Sequence, residues 1–288
     1  MKVCIGTVIY DKAFEFYNDY VESINSQDYM DFDVLLINDN LDNDKVNTYK
    51  KEINNNVIVE NKLKELSISE LRIFLLKKAM DFGYDLIVFA DADDKFSCNR
   101  VSSIIGLFNE KYTFYYNDIY DFENNLLLNN LPKVTKSIDD ILEYNYLGLS
   151  NTAIKLNNIS KEYIKKLKNI RTNIFDWYLF SKILSDNHKG LYIKDSKTFY
   201  RLGLNNIAGI QKISEESIKK ELDIKLEHYF SLKEENKKFN KLYNTYLELK
   251  NANQIVNSDY FTNNYNNYWW GFIRIEKKIF NNEVNNYV

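Results

Sequence analysis

Residues that cross-link or sharply turn the chain are scarce. The 288 residues include one proline, eight glycines, two cysteines and two histidines. Cys4 lies in an apolar segment and has no metal-ligand spacing to Cys98, so we expect two reduced thiols and no disulfide framework. His188 and His228 are far apart, which predicts surface residues and argues against a histidine metal site. A glycine-rich phosphate loop is also missing from the sequence.

The chain lacks an excess of either charge and any long apolar run. Lys and Arg number 38 against 41 Asp and Glu, a formal net charge of -3. This balance predicts no nucleic-acid partner, because nucleic-acid-binding domains carry a basic surface. The first apolar run ends at Asp11 and is too short for a signal peptide or a membrane span. We therefore expect a globular protein in the reducing cytoplasm, free or at the inner face of the membrane.

Strand and helix patterns alternate in the first third of the chain. Segments with strand character occur at residues 3–9, 32–37, 57–59 and 86–89. Apolar residues at helical spacing occur between them, and Ser67 and Glu70 have capping-box spacing at one helix start. This alternation predicts an α/β fold with a mostly parallel, doubly wound sheet.

The pattern changes in the middle of the chain. Further strand segments are expected at residues 112–120, 126–128 and 149–156. Asn124 and Asn125 indicate a hairpin between the first two, so a second, mixed sheet region is expected. Helices are expected after Ser160 and over residues 174–184.

Three carboxylates follow the fourth predicted strand within four positions. Asp91, Asp93 and Asp94 come directly after the apolar run at residues 86–89, which describes a strand buried on both faces. Parallel sheets bind ligands at the carboxyl ends of their strands. Carboxylate oxygens on a short loop suit Mg²⁺ or Mn²⁺. The alternative is a solvated acidic turn that caps the next helix, but the buried strand before it favours a metal site.

The segment DLIVFADADD resembles the Asp-x-Asp segment of family 2 glycosyltransferases of the GT-A fold, and the resemblance covers about residues 3–209. It implies a GT-A-like mixed sheet that binds Mn²⁺ or Mg²⁺ and a nucleotide-sugar donor, with UDP as the expected nucleotide. In the family pattern Asp91 and Ala92 contact the donor. Asp93, together with Asp91, holds the metal, and Asp94 lies on the acceptor side.

Four further positions match the nucleotide pocket of this family. Thr7 and Ile9 fall at the end of the first strand, although the proline and asparagine of the family turn are missing here. Asp39 ends the second strand, where an acidic residue recognises the base in the family, and Asn38 replaces the acidic residue before it. Arg72 fits an arginine near the base or phosphates. The alternatives are a turn-capping role for Asp39 and a solvent-facing helix position for Arg72.

The resemblance also implies a catalytic base and a diphosphate contact. Asp176 stands at a helix start where inverting family members carry the base, and an aromatic neighbour could raise its pKa. Trp177 is then expected on the sugar side, with core packing as the alternative. For Asp176 the alternative is an acidic residue that the helix dipole favours. Arg201 matches a Tyr-Arg segment near the diphosphate, and Gly203 replaces the family histidine.

The last part of the chain has a different character. We expect a catalytic domain at residues 1–210 and a mostly helical extension at residues 211–288, because helical spacing begins after Ser214. Residues 260–280 are dense in aromatics with basic neighbours. They predict either a peripheral membrane contact or a closing element that packs on the sheet or on a second subunit.

The leading interpretation is an inverting, metal-dependent glycosyltransferase with a glycan or lipid-linked acceptor, in the setting of bacterial surface-glycan synthesis. A nucleotidyltransferase of related fold is the second interpretation, although Gly6 alone gives little support for its phosphate loop. The third is a nucleotide-sugar-binding protein that has lost catalysis, since Asn38, Phe175 and Gly203 depart from the family pattern.

Overall fold

The structure is a computed structural model that describes residues 1–167, 172, 174–203, 214–252 and 266–275. Among these residues, nine strands form one sheet. The strands are β1 (Val3–Tyr10), β2 (Asp33–Asp39), β3 (Val57–Asn61), β4 (Leu86–Phe89), β5 (Lys95–Phe96), β6 (Phe114–Tyr120), β7 (Val134–Thr135), β8 (Thr152–Lys155) and β9 (Gly190–Phe199). The α-helices are α1 (Tyr17–Asn25), α2 (Asn43–Glu52), α3 (Ile68–Asp81), α4 (Arg100–Gly106), α5 (Lys161–Lys166), α6 (Phe175–Ser185), α7 (Glu215–Leu232) and α8 (Lys237–Asn251).

The sheet is mixed, and its first half is parallel. The strand order is β3-β2-β1-β4-β8-β6-β9-β5, and β7 pairs with β9. β1 is parallel to β2 and β4, whereas β8 is antiparallel to β4 and β6. The strands after the acidic run therefore continue the same sheet and do not form the second sheet region that we expected. The parallel strands end at one edge, where Tyr10 of β1 lies beside Asp39 of β2, and β4 ends with Phe89 beside Gly6 of β1.

Helices cover both faces of the sheet, as a doubly wound fold requires. Along β1, Cys4 and Val8 face one apolar cluster, and Ile5 and Ile9 face the other. The first cluster contains buried residues of α3, α5, α6, α7 and α8, and the second contains those of α1, α2 and α4. All four residues of β4 are buried, as a strand between two helical layers should be.

Two local expectations about the middle of the chain have different outcomes. Residues 126–128 are not a strand, because only an isolated bridge joins Tyr120 to Leu126. The turn before it is held by Asp121, whose carboxylate accepts the Asn125 N–H over 2.8 Å. The helix after Ser160 is confirmed as α5, with the Ser160 hydroxyl accepting the N–H of Tyr163 over 3.1 Å.

The C-terminal part consists of α7, α8 and the segment of residues 266–275, which we name the strap. α7 packs on α6 and α8 packs on α7. In the strap Tyr268, Trp269, Trp270 and Ile273 are buried. The described part of the aromatic segment thus packs on protein, whereas Tyr265, Lys277 and Lys278 lie outside the described residues. No helix in the described ranges has the length and apolar character to span a bilayer.

The cysteines are free thiols, Cys4 in the core and Cys98 at the surface. The expectation for the histidines is wrong for His228, which has 0% of its surface exposed. Its ring stacks on Trp177 with 3.9 Å between centroids, because α7 covers α6 at this point. Burial also lowers the pKa of His228, so the ring is neutral inside the core.

Candidate active site

The acidic loop, residues 90–94, continues β4 at the carboxyl edge of the sheet. Ala90 donates its N–H to the carbonyl of Gly6 over 3.1 Å, which holds the loop beside β1. The N–H of Asp94 donates to the carbonyl of Asp91 over 3.2 Å, so the loop forms a tight turn. This turn places three carboxyl groups within a short stretch of chain at the end of a buried strand.

Asp91 pairs with Arg72 across the site. Arg72 Nη2 lies 2.5 Å from Asp91 Oδ1, and both side chains are partly buried. The predicted capping box fixes the helix that carries Arg72: Ser67 Oγ accepts the Glu70 N–H over 3.3 Å, and the Glu70 carboxylate accepts the Ser67 N–H over 2.8 Å. Arg72 therefore contacts the acidic loop and is only partly exposed, which argues against a solvent-facing helix position.

Asp93 differs from its neighbours because its carboxylate has no hydrogen bond or ion pair to another residue in the described ranges. Burial and the nearby Asp91 charge raise the pKa of Asp93 to about 6, against the opposing effect of Arg72 and Arg201. A bound cation would favour the charged form of this carboxyl. Asp93 is thus the acid in the loop that is most available to a ligand.

Asp94 lies beneath the site, in contrast to its predicted place on the acceptor side. Only 1% of its surface is exposed. Its carboxyl accepts the backbone N–H of Arg201 over 2.9 Å and the hydroxyl of Ser150. Burial, followed by the charges of Asp93 and Asp91, raises the pKa of Asp94 well above its ordinary value. Asp94 therefore joins the loop to its neighbours and does not face a substrate.

Arg201 holds the loop in place, and its guanidinium is already engaged. Its Nε donates to the carbonyl of Asp93 over 2.9 Å, and its Nη2 pairs with Asp19 on α1. The guanidinium lies 4.1 Å from the ring centre of Phe16 and 4.0 Å from that of Phe122. The expected diphosphate contact thus has a competing set of protein contacts. Asn205 and Asn206 of the same predicted segment lie outside the described residues.

The side chains predicted at the end of β1 are buried. Thr7 Oγ1 is hydrogen bonded to the hydroxyl of Tyr20 over 2.7 Å, and Ile9 packs in the second apolar cluster. Ala92 of the acidic loop belongs to the same cluster. The strand continues to Tyr10, whose phenol has a raised pKa owing to burial and to the charges of Asp93 and Asp91. Tyr10, which the sequence did not single out, is thus a β1 side chain that senses the acids.

Asp39 is paired at the end of β2. Its carboxylate forms an ion pair with Lys62, which also donates to Glu65 over 2.9 Å. Asn38 supports the following turn, because its side chain accepts the Leu41 N–H over 2.8 Å and donates to the Leu41 carbonyl over 3.1 Å. Asn38 therefore supports the turn, and Asp39 lies at the sheet edge beside it.

Asp176 lies in the first turn of α6. Its Oδ1 accepts the backbone N–H of Trp177 over 2.5 Å and the Nδ2 of Asn145 over 3.4 Å. Burial raises its pKa to about 7, and the nearby Asp91 and Arg72 charges raise and lower it respectively. These electrostatic effects place Asp176 in the field of the Asp91–Arg72 pair, although 85 residues separate Asp176 from Asp91 in the sequence.

Trp177 does not face a sugar. It has 0% exposure, and its Nε1 donates to the Ile141 carbonyl over 2.7 Å. Its other neighbour is the ring of His228, so the alternative of core packing holds. The aromatic residue at the site is instead Tyr200. Burial and then the charges of Asp94, Asp91, Asp93 and Asp176 raise its phenol pKa, so its hydroxyl lies close to all four acids.

The described residues contain no group of three or more His, Cys, Asp or Glu side chains placed to hold a metal. Asp91 and Asp93 nevertheless fit Mg²⁺ or Mn²⁺, which bind through one or two carboxylates and complete their ligands with water and substrate phosphates. The unpaired Asp93 carboxylate, with its raised pKa, is the observation that supports this fit.

Neither the family models nor the curated protein sequences include a match to this chain. Its structure is similar to S. aureus TarS 1-349 in complex with UDP, with a TM-score of 0.59 and 11% identity over 96% of this chain and 77% of that one. It is also similar to GalNAc-T7 with UDP, GalNAc and Mn²⁺ (TM-score 0.52, 12% identity, 71% and 44% of the two chains). The mannosyltransferase PcManGT from Pyrobaculum calidifontis, in complex with GDP-Man and Mn²⁺, gives a TM-score of 0.50 at 11% identity, over 89% and 76% of the chains. The chain therefore has the predicted GT-A-type fold with a C-terminal helical part.

Proposed function

We propose that this protein is a metal-dependent glycosyltransferase. It transfers a sugar from a nucleotide-diphosphate donor, a UDP-sugar, to a hydroxyl of a glycan or lipid-linked acceptor, with inversion. The observation that carries the proposal is the unpaired Asp93 carboxylate in the field of Asp91, with Asp176, an acid of raised pKa, in the field of the same Asp91. A cation site and a proton acceptor thus lie at one sheet edge of a GT-A fold.

The donor side is formed by the acidic loop and the ends of β1 and β2. Asp91 and Asp93 would hold Mn²⁺ or Mg²⁺, which stabilises a diphosphate leaving group when bound. Arg72 is already paired with Asp91 and Arg201 with Asp19. The metal ion would therefore be the main cation that neutralises the diphosphate. Asp39 is proposed to contact the base.

The acceptor side is formed around Asp176. An acceptor hydroxyl must lose its proton as it attacks the anomeric carbon, and a group with a pKa near 7 is well matched to that transfer. Attack from the side opposite the leaving diphosphate gives inversion in a single displacement. The Tyr200 phenol lies near the same four acids.

A thermal-shift titration with UDP and Mn²⁺ tests the proposal through Asp93. In the unaltered protein, UDP with Mn²⁺ should raise the melting temperature more than either alone, because a ligand that binds only the folded state stabilises it. Asp93→Asn should remove this synergy and lower turnover at least 100-fold, without lowering the melting temperature of the free protein. Asp44→Asn, an exposed acid on α2, is the matched control and should behave as the unaltered protein. Retention of the synergy and of full turnover in Asp93→Asn would contradict the proposal.

The nucleotidyltransferase interpretation loses its support from Gly6. A side chain at that position would lie 2.6 Å from Ile87 Cδ1, so Gly6 allows close packing inside the sheet and does not form a phosphate loop. Release of pyrophosphate from a nucleoside triphosphate would support the nucleotidyltransferase interpretation instead. Slow Mn²⁺-dependent hydrolysis of a nucleotide sugar separates an enzyme from a protein that only binds the donor.

A further inference from the structure

The strap reaches the active site through its backbone. Asn145 donates its N–H to the Trp269 carbonyl over 2.8 Å, and Trp269 donates its N–H to the Asn145 carbonyl over 2.9 Å. The Asn145 side chain extends from this bridge to Asp176 Oδ1, 3.4 Å away. The same amide group also closes a turn with the N–H and carbonyl of Leu147. Asn145 is thus held from several directions and is not free to rotate.

The strap is itself anchored by charges inside the protein. Glu143 accepts the N–H of Ile275 over 2.8 Å, and Glu221 accepts the N–H of Ile273 over 2.8 Å. Lys225 donates to the Glu143 carbonyl over 2.6 Å and lies 3.4 Å from Glu221. All three charged side chains are buried. The position of the strap is therefore fixed by bonds that have little freedom to rearrange.

The Trp269 ring supports a second part of the site. It packs against Gly148, where an added Cβ would lie 2.9 Å from Trp269 Cη2, so no larger residue fits there without displacing the ring. Two positions later Ser150 donates its hydroxyl to Asp94. The ring centre of Trp269 is also 6.3 Å from that of Tyr200. One residue of the strap thus touches both the turn that holds Asp94 and the phenol among the acids.

We propose that Asn145 and Trp269 are positioning residues, through which the strap aims the carboxyl of Asp176 at the acceptor. Both bonds to this carboxyl, from Asn145 and from the Trp177 N–H, go to Oδ1. Oδ2 accepts no hydrogen bond from any residue in the described ranges and is the atom that takes the acceptor proton. The inference rests on the proposed role of Asp176 as the base, and it adds the residues that select which oxygen acts.

The test compares Trp269→Ala with Trp270→Ala. Both changes remove a buried indole and keep the backbone bridge to Asn145, but the Trp269 ring is the one that packs on Gly148 and lies beside Tyr200. Trp269→Ala should lower turnover at least 10-fold and leave the Kd of UDP with Mn²⁺ within 2-fold. Trp270→Ala should leave both the turnover and the Kd unchanged. The two variants are compared at temperatures equally far below their melting temperatures. Equal losses in the two variants, or a loss of donor binding in the first, would overturn the proposal.

A second measurement does not need turnover. Carboxyl NMR of Asp176 in the ligand-free protein should show a higher pKa in Asn145→Leu than in the unaltered protein, because an amide that donates to the charged form has been removed. An unchanged pKa in folded Asn145→Leu would refute the positioning role. If Asn145→Leu does not fold, the comparison of turnover between Trp269→Ala and Trp270→Ala tests the positioning role. The unaltered protein could neither transfer nor hydrolyse a nucleotide sugar while the pKa difference between the two proteins persists. The proposed function would then be wrong, but the hydrogen bond from Asn145 to Asp176 would be confirmed.

Discussion

At the scale of the residue, two physical effects compete at Asp176. The start of a helix favours a negative charge by about 0.3–1 kcal/mol at an exposed site. Burial acts in the opposite direction and raises the pKa from 3.8 to about 7, which corresponds to about 4 kcal/mol. Burial therefore outweighs the dipole, and Asp176 suits proton transfer better than helix stabilisation.

This balance gives a prediction about pH. Asp176 binds its proton more tightly in the folded chain than in the unfolded chain, so its contribution to stability is full below about pH 4 and is lost as the pH rises through about 7. Asp176→Asn should therefore unfold at higher urea than the unaltered protein at pH 8, and the difference should shrink at pH 5. Urea unfolding at the two pH values measures it. A stability difference between the two proteins that does not depend on pH would contradict the raised pKa of Asp176. Turnover of the unaltered protein should also rise with pH through about 7, and turnover should be lost in Asp176→Asn.

Residue type and order led to the prediction of the acids, but the direction in which each side chain points was harder to predict. Asp91, Asp93 and Asp176 stand out because carboxylates at element ends are conspicuous in sequence. Thr7 and Trp177 were also predicted at the site, yet both are buried. When a strand or helix is covered on both sides, apolar residues occur on both of its faces. The sequence then does not show which side chains point into the core.

At the scale of the element, local capping signals located helices well. α3 begins at Ile68, directly after Ser67, and α7 begins after Ser214, whose hydroxyl accepts the Ser217 N–H over 3.1 Å. β9 was missed because it carries exposed polar residues such as Lys194 and Asp195 and lacks a clear alternation. α2 was missed for a related reason, since its exposed face is almost wholly polar.

The α3 cap can be tested directly. Ser67→Ala removes the hydroxyl that accepts the Glu70 N–H and should lower the free energy of unfolding by about 1 kcal/mol. Asn47→Ala, at an exposed position within α2, is the control and should be neutral or slightly stabilising. Urea unfolding of both variants provides the comparison. An equal effect of the two changes would mean that the cap contributes no measurable stability.

At the scale of the whole molecule, the C-terminal part is tied to the sheet region through buried charge. Lys225 and Glu221 on α7 meet Glu143, which lies between β7 and β8 in the sequence. Sequence patterns could not place the aromatic segment, because a membrane interface and a core both use aromatic rings beside basic residues. The residues that hold the described part of this segment against the protein are the buried acids Glu143 and Glu221, which lie far from it in the sequence.

Loss of one charge from this cluster should be costly. Lys225→Met leaves Glu221 without its cation and removes one donor each from the Glu143 and Ile273 carbonyls, so we expect the free energy of unfolding to fall by about 3 kcal/mol. Lys250→Met removes an exposed pair, in which Nζ lies 2.6 Å from Asp223, and should cost at most about 0.5 kcal/mol. Chemical denaturation measures both. Similar small losses would show that the buried cluster does not stabilise the fold.

The late position of Trp269 in the chain has a consequence for biosynthesis. A ribosome delivers β1 to β4 and the acidic loop early, whereas the bridge to Asn145 forms only after residue 269 has emerged. Asp176 and the acidic loop are thus synthesised before the residue that holds Asn145 in place. Under the proposed function, transfer requires synthesis past residue 269, because the bridge that supports Asp176 through Asn145 forms only then.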